Sequence, residues 1–220
     1  MYYDLVASLP YLPHFERADR LPITRLRLRQ RLGRLTPAHA DQLLRVRSMI
    51  RWRPETWRAT TDAAGARDYE ALMSSPLDPT LEDYVAFRMD QQTLVAALRR
   101  KQDGAAAPES GLRWGVGPRV HDVQTRWDAP DFGLSHVYPW LPQARDLLAS
   151  GDARGFERLS MNVVWRWLDR SSERQPFGFE AVFAYAFKWD LLQAWLACDA
   201  DKGKTRFKDL IDEVTRVEHH

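Results

Sequence analysis

Gly203, Lys204 and Thr205 spell the end of a phosphate-binding loop, in which backbone N–H groups wrap a phosphate and the lysine meets its charge. Such a loop also needs a glycine five positions before the last one, and Cys198 stands there, within an apolar run that reads as helix rather than behind a strand. The structural reading is a helix that ends at Gly203, followed by a new helix start. His121 and Asp122 form the adjacent pair used by metal-dependent phosphohydrolases, whose helices supply a further His and Asp to two metals. His136 is the nearest other histidine and no helical spacing joins it to His121, so a surface or capping role is expected. Lys188 and Asp190 interrupt an apolar stretch two positions apart; on a helix they cannot face one another, and each must find a partner on another element. No catalytic residue, metal or cofactor is expected, and the chain reads as a non-enzyme.

Arg47, Arg51, Arg53 and Arg58 interleave with Trp52 and Trp57. Arginine beside tryptophan suits a nucleic-acid stacking groove, a protein interface hot spot, or a solvated helix face. Arg47, Arg51, Trp52 and Trp57 are the residues expected at a partner surface. Net charge bears on the choice: residues 1–60 carry 12 Arg and 5 acids, a balance of +7, and the remainder carries −5. A non-specific nucleic-acid binder would normally be basic throughout, so nucleic acid is the alternative partner. Arg outnumbers Lys 27 to 5 over the whole chain, which discounts the arginine count as a sign of selection for a guanidinium.

The elements that must position these groups read as helices. Thr36 followed by Pro37 is an N-cap with proline at the first helical position, and Leu43, Leu44, Val46 and Ile50 supply an apolar stripe that Pro54 ends or kinks. Asp78 and Thr80 are competing caps for a long helix that stops at Gly104. Residues 23–32 alternate Leu with Arg, a period that suits a strand, but Leu, Arg and Gln favour helix and Gly33 is a natural stop. Helices are also expected over 120–127 and 141–149, over a stretch capped by Asp152 in which Phe156, Leu159, Val163, Trp167 and Leu168 share a face, and over 205–217. No stretch has the β-branched alternation of a sheet, so the class is all-α. The glycines and prolines of 105–118 mark a linker between an N-terminal helical unit, 1–104, and a C-terminal one, 119–220, unless the two form one continuous domain.

With 45% hydrophobic residues in 220, a sizeable core is available. The lone Cys198 excludes an intrachain disulfide and points to a reducing cytoplasm. Residues 181–198 are the one candidate span, but each of Lys188 and Asp190 would cost about 2.5–3.5 kcal/mol at the bilayer centre. A buried helix of a soluble protein is expected there.

Residues 81–104 and 179–202 align at an offset of 98, where Glu82, Ala86, Leu94, Ala96, Leu98 and Asp103 match Glu180, Ala184, Leu192, Ala194, Leu196 and Asp201. Such self-similarity describes a bundle of two diverged helical units. The opening from Tyr2 to Pro10, Tyr-Tyr-Asp-Leu-Val-Ala-Ser-Leu-Pro, resembles that of a short bacterial family associated with V-type (A/V-type) ATPase gene clusters. Residues 187–211, with Trp195, Leu196, Asp199, Gly203, Phe207 and Leu210, resemble the same family's C-terminal end. They are also similar, as are residues 94–104 more faintly, to the recurring helix of the C-type subunit of V-type ATPases, the d-type in eukaryotes, where a helix passes through a polar Gly-Lys turn into the next. That subunit is a funnel of three related helical units, and this chain has room for about two. The resemblance implies a C-type-like fold and a non-catalytic coupling or assembly role, linking the membrane rotor ring to the central stalk in ion or proton transport. Its partners would be V-type ATPase subunits, and it would be cytoplasmic, peripheral at the inner membrane through the complex.

Overall fold

The computed structural model describes residues 1–50, 62–109 and 114–217, with side chains for 1–50, 64–109 and 114–198. Every regular element among them is a helix: α1 (Tyr3–Ser8), a 3₁₀ turn (Phe15–Arg17), α2 (Arg25–Leu32), α3 (Pro37–Met49), α4 (Asp62–Met73), α5 (Pro79–Gln102), α6 (Val120–Thr125), α7 (Leu141–Ala149), α8 (Ala153–Arg174) and α9 (Phe179–Val217). The all-α expectation holds for this part of the chain.

Local chemistry sets the helix starts. Thr36 Oγ1 accepts from the His39 amide at 3.3 Å with Pro37 in the first turn, Asp78 prevails over Thr80 and accepts from Thr80 N at 3.0 Å, and Asp152 accepts from Gly155 N at 2.8 Å. Each cap satisfies an amide that has no partner within its helix. Thr24 caps α2 through Arg27 N, and the alternating Leu/Arg run behind it is helical as its composition favours. At the other end of α5, Gly104 takes φ +73°, the left-handed turn that closes a helix.

Two corrections concern the C-terminal half. The expected break at Gly203 does not occur: α9 runs from Phe179 to Val217 as one helix of 39 residues, about 58 Å at 1.5 Å per residue. A lone glycine within a helix costs only about 1 kcal/mol against alanine, and no proline follows to enforce a stop. The Gly-Lys turn of the C-type helix is therefore not reproduced. In α8, the buried face is centred on Met161, Val164, Trp165 and Leu168; of the expected face Phe156 and Leu168 are buried, whereas Leu159, Val163 and Trp167 are half-buried at its edge. Trp167 is half-buried, stacked on Phe87 with ring centroids 5.6 Å apart.

α9 packs along α8 and also touches α1, α3, α5 and the 3₁₀ turn. The main core joins Leu5, Phe15, Leu43 and Val46 to Tyr84 and Val85 of α5, Trp165 of α8, and Phe183, Phe187 and Leu192 of α9. Residues from both sides of 105–118 thus share it. A second core sets the other half of α5, Leu94, Ala97 and Leu98, against Trp114, Val123, Phe132, Leu134 and Leu141. A third, small cluster joins Ile23 and Leu28 to Trp189. In the repeat register Leu94 and Leu192 are both fully buried, but in different cores, and Leu98 is buried where Leu196 is half-buried. Among the described residues no helix is long and apolar enough to cross a membrane.

Candidate partner interface

The residues whose types could do chemistry are held in structural contacts. Lys188 Nζ reaches Asp169 of α8 at 2.7 Å, and Asp190 accepts both Nε and Nη2 of Arg47 from α3, at 2.8 and 2.5 Å. The separate partners expected for Lys188 and Asp190 are these. Arg47 is accordingly committed within the chain, its fork filled by one carboxylate. Arg51, Trp52 and Trp57 lie outside the described residues. His121 and His136 are both exposed, Asp122 pairs with Arg119 at 3.0 Å, and no group of three potential metal ligands gathers among the described residues. Gly203 and Lys204 sit within α9, with no loop around them.

The opening residues tie two helices together. The Tyr2 amide donates to Phe177 O at 2.6 Å, and its hydroxyl meets Thr36 Oγ1 and His39 Nδ1, the latter at 2.6 Å. His39 stacks on Phe179 with centroids 4.0 Å apart. The start of α3 is thereby held to the start of α9.

Between the two large cores, the middle of α5 buries Arg88, Asp90, Gln91 and Thr93. Arg88 bonds Gln91, which also reaches Ser160 O of α8 at 3.1 Å. Thr93 Oγ1 donates to Val116 O and accepts from Val116 N, and Asp90 accepts from Arg119 N at 2.9 Å and from Tyr138 Oη at 2.7 Å. Residues 114–118 of the expected linker thus lie as a strap along α5, and Trp114 is buried under it. Sequence reasoning missed this belt. Its signal was a run of polar residues in the centre of an apolar helix.

Burial raises the Asp90 carboxyl above its ordinary 3.8, opposed by the Tyr138 and Arg119 bonds that favour the anion. The native state therefore holds this proton more tightly than the unfolded chain. Asp90 contributes most stability below 3.8 and loses it as pH rises through the raised native value. In urea unfolding between pH 4 and 7, the stability of wild type minus that of Asp90→Asn should fall with rising pH and then level. A difference that rises over that range would refute the assignment.

Among the described residues one uncommitted feature is electrostatic. Residues 17–34 contain seven arginines and one acid, Asp19, a net +6, whereas residues 62–83 contain six acids and Arg67, a net −5. Arg17, Arg20, Arg25, Arg27, Arg29 and Arg34 are exposed, and among the described residues no ion pair engages any of them. For Arg25, Arg27 and Arg29, what sets them outward is the buried side of α2. Leu28 is 1% exposed against Ile23 and Trp189, and Trp189 Nε1 donates to Ile23 O at 2.9 Å. Arg31 turns partly inward near Tyr185, whose hydroxyl is pushed up to about 12 by burial and drawn back by that guanidinium. Guanidinium groups suit carboxylates or phosphates by charge and geometry.

The described tryptophans are buried or half-buried, so none offers an open stacking platform. A search of curated proteins finds no match, and neither does one of solved structures. The family described as "Protein of unknown function (DUF2764)" matches residues 60–217, from just before α4 to the end of α9 and therefore excluding the arginine-rich segment. With that match over more than half of its length, the chain belongs to the DUF2764 family.

Proposed function

We propose that the protein is a non-catalytic coupling or assembly subunit of a V-type (A/V-type) ATPase, positioned between the membrane rotor ring and the central stalk. The observation that carries the mechanical part is α9, a continuous helix of 39 residues whose first half is gripped by α8, α3, α5 and α1. A helix anchored in this way transmits displacement along its axis as a stiff element. The choice of a rotary ATPase is supported by the resemblance of residues 2–10 and 187–211 to the associated family, and the 98-residue offset supports a duplicated construction related to the C-type subunit. The task needs shape and interface side chains and no reactive group.

Tagged protein recovered from native membranes under mild detergent should bring rotary ATPase subunits with it, scored by mass spectrometry. Recovery without any of them would remove this reading. A helical nucleic-acid-binding role is the second reading, favoured by the exposed arginines of 17–34. It requires retardation of DNA or RNA that weakens steeply with salt as condensed counterions are released. Absence of retardation at low salt would dismiss it.

A further inference from the structure

The outer side of α2 forms a surface that the coupling role does not by itself assign. At 3.6 residues per turn, successive side chains are rotated by about 100°. Leu28 and Leu32 then mark the inner side, which agrees with Leu28 packed on Trp189 and Leu32 beside it. Going around the outer arc, Arg25 and Arg29 come first, Leu26 and Gln30 lie in the middle, and Arg27 closes the far edge. Leu26 is 67% exposed. The outer face is therefore an apolar knob with guanidinium groups on both sides, extended by Arg20 and Arg34 at the two ends.

We infer that this face docks an acidic amphipathic helix of a partner protein, one that offers an apolar hollow flanked by Asp and Glu. The proposal rests on the reading of the protein as an assembly subunit and names the surface and the partner's chemistry. A knob ringed by cations is complementary to a hollow ringed by carboxylates, and arginine forks engage carboxylates bidentately. A phosphate backbone would meet the same cations but leaves Leu26 without a counterpart. The chain as a whole, at +2 with a −5 stretch at 62–83, adds little field to hold a polyanion. At physiological ionic strength screening sets in within about 8 Å, so only groups close to the face decide the partner.

The test places a photo-reactive benzoylphenylalanine at Leu26 in the full chain, irradiates native cells, and maps the adduct to its peptide. The expected result is an adduct on a helical, Asp/Glu-rich segment of another protein. Its yield should fall at least tenfold in Arg25→Gln, Arg27→Gln, Arg29→Gln together, and further with Glu at the same positions. These side chains are exposed, and an unchanged circular dichroism melt would show that the variants keep the fold. An adduct on nucleic acid, lipid, a second copy of this chain or a non-acidic segment, or no adduct, would overturn the proposal. So would a yield that charge removal leaves intact. An acidic segment belonging to a protein outside any rotary ATPase would uphold the docking face while removing the ATPase assignment. An ATPase subunit captured through a non-acidic segment would do the reverse.

Discussion

Gly117→Ala is expected to destabilise the protein by about 2–5 kcal/mol, combining a strained backbone angle with overpacking. Gly117 has φ +114°, a region that L side chains rarely adopt. A Cβ built there lies 2.8 Å from Asp90 Oδ1, 3.0 Å from Asp90 N and 3.2 Å from Met89 C. Two of those atoms are α5 backbone and cannot swing aside. The strap must lift instead, and lifting it weakens both Thr93–Val116 bonds and the Arg119 amide bond to Asp90. A urea midpoint lowered in proportion, with faster hydrogen exchange at the Val116 and Arg119 amides, would show this. Gly65→Ala is the control: it sits within α4 with nothing inside 4 Å of the added Cβ, so it should stabilise by up to about 1 kcal/mol. If the two substitutions were equally harmless, the strap would not be seated on α5.

What the sequence makes legible here is what neighbouring residues decide. The Thr36-Pro37 start, the Asp152 cap and the helical nature of 25–32 all follow from side chains within four positions of the feature they control. The charges of α9 were legible one step further, because Lys188 and Asp190, two apart on a helix, cannot face one another and each must find a partner on another element. Which elements was not legible. Asp190 meets Arg47 across 143 positions, and nothing near Arg47 distinguishes an arginine turned inward from one on a solvated face. The α5 belt fails for the same reason. Arg88 with Gln91, and Asp90 with Thr93 on the opposite side of the helix, look water-facing until Ser160 and residues 114–119 respectively close over them.

That belt also explains why one helix serves two cores. α5 gives Tyr84, Val85 and Met89 to the first and Leu94, Ala97 and Leu98 to the second, with the polar residues at the junction. Apolar contacts alone are tolerant of sliding. Directed bonds from Asp90 and Thr93 to backbone atoms of Val116 and Arg119 are not, so they set the register of the strap on α5. The same logic separates the candidate site from the scaffold: the belt is bonded internally, whereas the exposed arginines of α2 are engaged by no ion pair among the described residues.

Trp189→Ala should cost about 3–5 kcal/mol, the range for emptying a large buried aromatic site, and its effect should be felt furthest away at α2. Trp189 is 1% exposed, and its indole both fills the cluster with Ile23 and Leu28 and donates to Ile23 O. Alanine removes the packing and leaves that carbonyl without its donor, so the segment that carries Arg25, Arg27 and Arg29 loses its seat on α9. Trp189→Phe keeps most of the ring but not the N–H, and should lose about 1–2 kcal/mol less than alanine while still freeing the Ile23 carbonyl. Hydrogen exchange over residues 24–32 should rise in the order wild type, Phe, Ala, relative to α7, which lies in the other core. Cross-linking from Leu26 should decline in the same order although no arginine has been touched. Exchange that rises uniformly through α2 and α7 would mean that Trp189 supports the whole bundle and that α2 has no separate hold on it.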